Sequence, residues 1–151
     1  MRARRRFINL RRELAARRVF IDTAAFYALV DSSEMRHLAA DSIHLRLAQE
    51  RWRLFTTNYI VAETHALLQV RLGHHYALRF LDEMDQSPTV IVRVTSLDER
   101  RSREILHQYA DKSFSFTDAT SFAVMERLRI DIAFTFDRNF VQYGLTVLTP
   151  D

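Results

Sequence analysis

The sequence predicts an α/β domain in which helices cover both faces of a central parallel sheet of about five strands. From Val19 onwards, short β-branched or aromatic runs alternate with helical patterns, as expected of successive strand–helix units. The chain has 151 residues, of which 48% are hydrophobic and 27% charged, a balance typical of a soluble globular protein. This length favours one domain with a single core.

Five short apolar runs are predicted as strands and six longer periodic stretches as helices. The predicted strands are residues 19–22, 54–57, 89–95, 131–137 and 146–149. The predicted helices lie at about 24–31, 36–51, 59–72, 74–86, 97–110 and 116–129. Gly73, the Ser87-Pro88 pair and Gly144 are expected to break the chain between these elements.

The composition excludes several classes of protein. Without cysteine the chain has no disulfide, Cys-based zinc knuckle, iron–sulfur cluster or thiol nucleophile, which favours a reducing, cytoplasmic location. Because Gly73 and Gly144 are the only glycines, neither the dinucleotide fingerprint nor the P-loop occurs. No long apolar run or signal-peptide core is present, so neither a membrane span nor secretion is expected.

The charge is divided unevenly along the chain. Residues 1–18 contain eight arginines and one glutamate, whereas residues 19–151 contain 14 basic and 18 acidic residues. The first segment therefore carries +7 and the second −4, which sum to the net +3. Residues 1–18 are interpreted as a basic, arginine-rich arm: an amphipathic helix, a disordered tail or a mis-assigned start. Residues 19–151 are predicted to form the folded domain.

Acidic residues lie where the predicted strands end, and open α/β sheets bind their ligands at that edge. Asp22 closes the first strand and Asp137 closes the fourth, while Glu63 shares the apolar face of the helix after the second. Asp118 has capping-box spacing from Ser115 and leans toward the apolar side of its helix. Each aspartate also has an ordinary interpretation as a helix cap or turn residue.

Clustered carboxylates favour a metal site. At one sheet edge they would repel and raise one another's pKa unless a divalent cation held them together. A ligand set made only of oxygen atoms favours Mg²⁺ or Mn²⁺ over zinc. The six histidines include no HExxH pair and have no cysteine companions, so solvated or capping roles are expected for them.

Several side chains that could contact nucleic acid are interpreted as structural. Six phenylalanines could stack on bases, but their spacing is more typical of a core. These are Phe114, Phe116, Phe122, Phe134, Phe136 and Phe140. The run of Arg100, Arg101 and Arg103 is expected to form a solvated helix face.

Four segments resemble the motifs of the PIN-domain nucleases. They are VFIDTAAFYALVD, TTNYIVAET, SFTDATSFAVM and FTFDRNFVQYG, and the match extends over about residues 19–149. More narrowly, the segments are similar to those of the VapC-like toxins of type II toxin–antitoxin pairs, with the acids in family order and spacing. The basic arm departs from the pattern, since many such toxins begin almost directly at the first strand.

The resemblance implies a PIN-like three-layer α/β/α fold and a ribonuclease that depends on Mg²⁺ or Mn²⁺. The residues that match the family's acidic cluster are Asp22, Glu63, Asp118 and Asp137, with Asp22 and Asp118 as the most regular magnesium ligands. The small polar residues that match supporting positions are Thr23, Thr57, Asn58 and Thr135. One or two cations, an RNA substrate, a small antitoxin and a toxin homodimer are also implied.

The same residues bear on four other functions. A haloacid-dehalogenase-type phosphatase needs a second acid two positions after Asp22, where Ala24 stands. A receiver domain needs a lysine late in the sheet, but Lys112 precedes the fourth predicted strand. A catalytically silent PIN-like RNA-binding module is expected to have lost acids, and all four are present. A housekeeping RNA-processing nuclease shares the site with a toxin, so the sequence leaves that choice open.

Overall fold

The computed structural model describes residues 17–151. The predicted basic arm, apart from Arg17 and Arg18, therefore lies outside the described residues. Within this range the strands are β1 (Arg18–Ile21), β2 (Arg53–Thr57), β3 (Val90–Val92), β4 (Ile132–Phe134) and β5 (Thr146–Val147). The helices of the described part are α1 (Thr23–Val30), α2 (His37–Gln49), α3 (Asn58–Leu72), α4 (His74–Gln86), α5 (Ser96–Gln108), α6 (Phe116–Leu128) and α7 (Arg138–Tyr143).

The strands form one sheet in the order β3-β2-β1-β4-β5, and every neighbouring pair is parallel. In the centre, Phe20 of β1 lies opposite Phe55 of β2 on one side and Ala133 of β4 on the other. With helices flanking this sheet, the structure confirms the predicted α/β/α fold class. The strand order reverses between β1 and β4, and ligands of open α/β sheets bind at such a point.

The core is built around β1 and α6. Val19, Phe20 and Ile21 of β1 are 0–1% exposed, and all residues from 119 to 125 of α6 are buried. A parallel strand that is covered on both faces needs such an uninterrupted apolar run, because neither face meets water. In α6, Phe122 packs against Phe140 in an edge-to-face pair.

The predicted phenylalanine core is only partly correct. Four of the six are buried, namely Phe114, Phe122, Phe134 and Phe140. The prediction is wrong for Phe116, which begins α6 and is 41% exposed with an edge contact to Tyr59. Phe136 is half-buried, because it follows the end of β4 and is covered by the Arg36 guanidinium.

The sequence pattern missed α7. Its six residues are too few to display a helical period. The helix starts after Asp137 and ends at Gly144, which has a φ of +104°, a left-handed conformation that glycine adopts without strain. The third and fourth strands are also shorter than predicted, since residues 93–95 and 135–137 lead into helices. Within residues 17–151, no helix is long and apolar enough to cross a membrane.

Candidate active site

The carboxyl ends of β1 and β4 adjoin a cavity of about 260 Å³, which we call the acidic cavity. Its lining includes the four acids that the sequence predicts at the site: Asp22, Glu63, Asp118 and Asp137. Each comes from a different place in the fold: directly after β1, within α3, in the first turn of α6 and directly before α7. The structure thus brings together all four acids that the sequence singled out.

Asp22 is the most deeply buried of these acids, at 4% exposed. It occupies the N-cap position of α1 but makes no side-chain capping bond. Instead, its Oδ2 accepts a hydrogen bond from the Thr135 hydroxyl at 2.7 Å. Burial raises the pKa of Asp22 to about 7 against the lowering effect of its hydrogen bonds, and the charges of Asp118 and Asp137 raise it further.

Asp118 and Asp137 combine a capping role with a place in the cavity wall. Oδ2 of Asp118 accepts the Ser115 amide at 3.0 Å, which confirms the predicted capping box. Oδ1 of Asp137 accepts the Asn139 amide at 2.9 Å and so caps α7. Burial raises the pKa of Asp137, and the neighbouring charge of Asp118 adds to that shift. The structural and functional interpretations of these acids are therefore compatible.

Asn139 links these two aspartates, although no sequence pattern predicts it at the site. Its backbone amide binds Asp137, while its side-chain Nδ2 donates to Oδ2 of Asp118 at 3.0 Å. Because the two carboxylates come from different helices, this amide sets the position of one relative to the other. The FTFDRNF segment contains the residue, but its partner Asp118 is distant in the sequence, so no local pattern indicated the contact.

Glu63 is more exposed than the sequence predicts. It was expected to lie on the apolar face of its helix, and Thr64 and Leu68 on that face are indeed fully buried. Glu63 itself is exposed, because it lies at the margin of the face, where α3 borders the cavity rather than the core. It makes no hydrogen bond or ion pair with any residue among those described, so its side chain is free to turn.

Two of the predicted supporting residues lie at the cluster. Thr135 donates to Asp22 and accepts the Asp137 amide at 3.0 Å, so one hydroxyl connects two of the acids. Thr23 lines the acidic cavity, and its buried hydroxyl has no hydrogen-bond partner among the described residues. An unpartnered buried hydroxyl is uncommon in a folded protein and indicates room for a ligand.

The other two predicted supporting residues do not line the cavity. Thr57 caps α3 by accepting the Ile60 amide at 3.1 Å. Asn58 accepts the Val94 amide at 2.9 Å and ties the start of α3 to the chain after β3. Their contribution is to hold the helix that carries Glu63.

The cavity also has polar lining residues that the sequence analysis missed: Tyr27, Glu34, Arg36 and Arg71. Glu34 and Arg36 belong to the connection between α1 and α2, and only tertiary folding places them here. Helical spacing could have indicated Arg71, since it stands four residues after Leu67 and eight after Glu63 along one row of α3. The wall of the acidic cavity therefore contains charges of both signs.

The acidic cavity is distinguished by its chemistry and not by its size. A larger, mainly apolar cavity of about 470 Å³ includes only two acids, Asp41 and Glu83. A third, of about 590 Å³, includes none. Within residues 17–151, however, no three histidine, cysteine or acidic side chains converge closely enough to hold a metal ion. The four carboxylates share the cavity without forming a closed coordination sphere.

Comparison with known proteins assigns this fold and its acidic cavity to a family. Residues 19–145 match the PIN domain family, and the chain belongs to that family. The 23S rRNA-specific endonuclease VapC20 of Mycobacterium tuberculosis is 31% identical over 133 residues, which are 88% of this chain and 99% of the relative. The VapC ribonuclease of Archaeoglobus fulgidus is 30% identical over 123 residues, 80% of this chain and 77% of that protein.

Solved structures give the same assignment. The crystal structure of M. tuberculosis VapC20, described as a Sarcin-Ricin loop cleaving toxin, has a TM-score of 0.80 and 31% identity, covering 87% of this chain and 99% of that one. VapBC2 from Rickettsia felis, bound to a DNA fragment from its promoter, has a TM-score of 0.64 but only 12% identity, so it supports the fold alone. Within the PIN-domain family, this chain is a nuclease of the VapC type.

Proposed function

We propose that this chain is a divalent-metal-dependent endoribonuclease that hydrolyses RNA phosphodiesters at the acidic cavity. The observation that carries the proposal is the meeting of Asp22, Glu63, Asp118 and Asp137 in one cavity wall. Burial and like charge raise the pKa of Asp22 to about 7, an arrangement that a bound cation would relieve. Similarity to an rRNA endonuclease and a VapC ribonuclease supports RNA as the substrate class.

The donor set fits a hard divalent cation, Mg²⁺ or Mn²⁺. Its ligands would be the four carboxylates, with Asp22 and Asp118 foremost, and the unpartnered Thr23 hydroxyl is one more oxygen in the same wall. Coordination requires these carboxylates to move closer together, and the exposed Glu63 has the freedom to do so. When bound, one or two such cations supply charge stabilisation at the phosphate and lower the pKa of water.

The chain's own residues keep the acids in position for this reaction. Thr135 holds Asp22 and the backbone of Asp137, while Asn139 connects Asp137 to Asp118. Charge stabilisation at a metal site needs no covalent intermediate on the protein. Direct hydrolysis of this type leaves 3′-hydroxyl and 5′-phosphate ends, which end-labelling of the products would identify.

The experiment is cleavage of single-stranded RNA by the full chain with Mg²⁺, with Mn²⁺ and with EDTA. Asp22→Ala and Asp118→Ala should each reduce the rate by about 10³-fold, because a lost carboxylate removes several kcal/mol of charge stabilisation. Asp131→Ala is the matched control, since Asp131 is exposed at the amino end of β4. If the Asp22 and Asp118 variants cleave at the wild-type rate, the acidic cavity is not the active site.

We further propose that the nuclease is a cytoplasmic toxin restrained by a small antitoxin, with the toxin as a homodimer. An arginine from such a partner could bind a carboxylate bidentately, compete with the cation and occupy the place of the substrate phosphate. Expression of the chain alone should arrest growth, and co-expression of a neighbouring antitoxin frame should relieve the arrest. Cells that express the Asp118→Asn chain should grow without the antitoxin.

If the wild-type and Asp118→Asn chains are equally harmless to growth at matched soluble levels, the toxin proposal is contradicted. The housekeeping RNA-processing nuclease would then be the better account, provided that the purified wild-type chain still cleaves RNA. Size-exclusion chromatography with light scattering would test the dimer separately.

A further inference from the structure

Two arginines line the acidic cavity, and the proposed metal chemistry leaves them without a role. Arg36 precedes α2 and Arg71 lies in the last turn of α3. Both side chains are exposed, and neither forms an ion pair with a carboxylate among residues 17–151. The cavity thus holds two positive charges that its own acids do not neutralise.

Aromatic rings, and not carboxylates, position these two guanidinium groups. Arg36 lies 5.5 Å from the ring centre of Phe136, the residue directly before Asp137. Arg71 lies 5.0 Å from the ring centre of Tyr27, whose hydroxyl interacts with Arg71 and donates a hydrogen bond to Asp31 at 2.6 Å. A guanidinium stacked on a ring still has its N–H donors at the edge, available for an anion.

An RNA phosphate needs such donors in this cavity. The carboxylates that would bind the cation also repel the phosphodiester, and Glu34 adds a fifth acid to the wall. The planar guanidinium fork matches two phosphate oxygens and forms charge-assisted hydrogen bonds with them. Positive groups beside the acids would therefore bring the phosphate backbone to the carboxylates despite their charge.

We propose that Arg36 and Arg71 form a phosphate clamp, which binds the RNA backbone next to the bond that is cut. This inference rests on the nuclease function proposed above. The clamp residues act on substrate binding, whereas Asp22 and Asp118 act on metal binding and the chemical step. Loss of a clamp arginine should consequently raise KM more than it lowers kcat.

Arg53 provides a matched control. It is also exposed and also lies 5.5 Å from an aromatic ring centre, that of Phe55. However, it begins β2, at the amino ends of the strands and away from the acidic cavity. Comparison with Arg53→Ala therefore separates position in the cavity from the general effect of removing a stacked, exposed arginine.

The clamp is tested by RNA binding in an Asp118→Asn background, which prevents cleavage of the probe. A fluorescent single-stranded RNA is titrated with the full chain in Mg²⁺ over a series of salt concentrations. Arg36→Ala and Arg71→Ala should each weaken binding about tenfold, the effect of a lost charge-assisted hydrogen bond. Each should also reduce the slope of log affinity against log salt by about 0.7, the value for one single-strand phosphate contact.

The controls separate charge from geometry. Arg53→Ala should leave affinity and salt slope unchanged. Arg36→Lys and Arg71→Lys should keep the slope but recover only part of the affinity, since ammonium groups lack the planar fork. In the chain with Asp118 intact, the alanine variants should raise KM for RNA and retain the rise in melting temperature that Mg²⁺ produces in the wild type.

Two results would overturn the clamp, and they have different meanings. If the wild type cleaves RNA and both alanine variants match Arg53→Ala in affinity, salt slope and KM, the clamp is wrong and the nuclease proposal stands. If the wild type neither binds nor cleaves RNA, the nuclease proposal fails and the clamp fails with it.

Discussion

Asp98 and Asp118 stand at the same local position in two helices and have opposite environments. Each is the third residue of its helix and closes a capping box, begun by Thr95 in α5 and by Ser115 in α6. Asp98 also binds Arg127 with both oxygens, at 2.8 Å each. Asp118 has no such cation among residues 17–151 and lines the acidic cavity. The local sequence pattern is shared, so the distant partner decides whether the acid is structural.

A second comparison shows that burial alone does not mark a functional carboxylate. Asp98 is 3% exposed and Asp22 is 4% exposed. Burial acts to raise the pKa of both, but hydrogen bonds from Arg127 and Thr95 outweigh it at Asp98, whose pKa is lowered. At Asp22, burial outweighs the hydrogen bonds from the Thr135 hydroxyl and a backbone amide, and its pKa is raised to about 7. A buried acid without a countercharge is the feature that indicates a site.

The stability of the metal-free protein should depend strongly on pH. The pKa of Asp22 is about 7 in the folded chain against an ordinary 3.8, so the folded state binds this proton more tightly than the unfolded state. Stability should therefore fall as pH rises from about 4 to about 7, by on the order of 4 kcal/mol. Urea unfolding in EDTA across this range measures the change, and Asp22→Asn should remove most of it.

Asp98 should show the opposite pH dependence. Because its folded pKa is lowered, its contribution to stability is present above the ordinary aspartate pKa and is lost as pH falls below it.

An Asp22→Asn protein that keeps the wild-type loss of stability between pH 4 and 7 would contradict the assignment of that loss to Asp22. The exposed Asp131 supplies the control variant, Asp131→Asn.

Substitution of Asp98, which is paired with Arg127, should lower the stability of the chain, whereas substitution of Asp22 should not. Asp98→Asn should destabilise the chain by about 2–3 kcal/mol, somewhat less than a fully buried pair because the Arg127 side chain is 40% exposed. Asp22→Asn should stabilise the metal-free chain at pH 8 by relieving a buried charge. Urea unfolding in EDTA measures both changes in stability. Equal destabilisation by the two substitutions would contradict the expected difference between Asp98 and Asp22.

Loss of the Asn139 side chain should change stability only modestly. Asn139→Ala removes the side-chain hydrogen bond to Asp118 but keeps the backbone bond to Asp137, and should cost about 1 kcal/mol in EDTA. Saturating Mg²⁺ should reduce this cost, because a bound cation replaces the amide as the partner of Asp118. Gln142→Ala, an exposed change in α7, is the control. A cost that is the same with and without Mg²⁺ would mean that Asn139 acts only on the helix.

Sequence patterns predicted the alternating elements and the grouping of the four acids. Strand ends are local signals, and a parallel sheet brings its carboxyl ends to one edge, so Asp22 and Asp137 could be placed from the sequence. The capping box of Asp118 was equally local. Glu63 was placed on the correct helix, but its exposure depends on where α3 meets the sheet edge.

The remaining features depend on tertiary contacts. The six-residue α7 is too short for a periodic signal, and Asn139 contacts Asp118 across the cavity wall. Arg36 enters the cavity only because a loop folds back onto Phe136. Phe116 is exposed at the first position of α6, although its spacing matched a core residue. None of these contacts has a counterpart in the local sequence.

We propose that the acids of the cavity, unlike Asp98, require a cation, and thermal melting with millimolar Mg²⁺ or Mn²⁺ tests this requirement. The cation should raise the wild-type melting temperature by binding only the folded state. Asp98→Asn should melt at a lower temperature but keep the full metal shift, whereas Asp22→Asn combined with Asp118→Asn should abolish it. An equal metal shift in that double variant and the wild type would contradict the account.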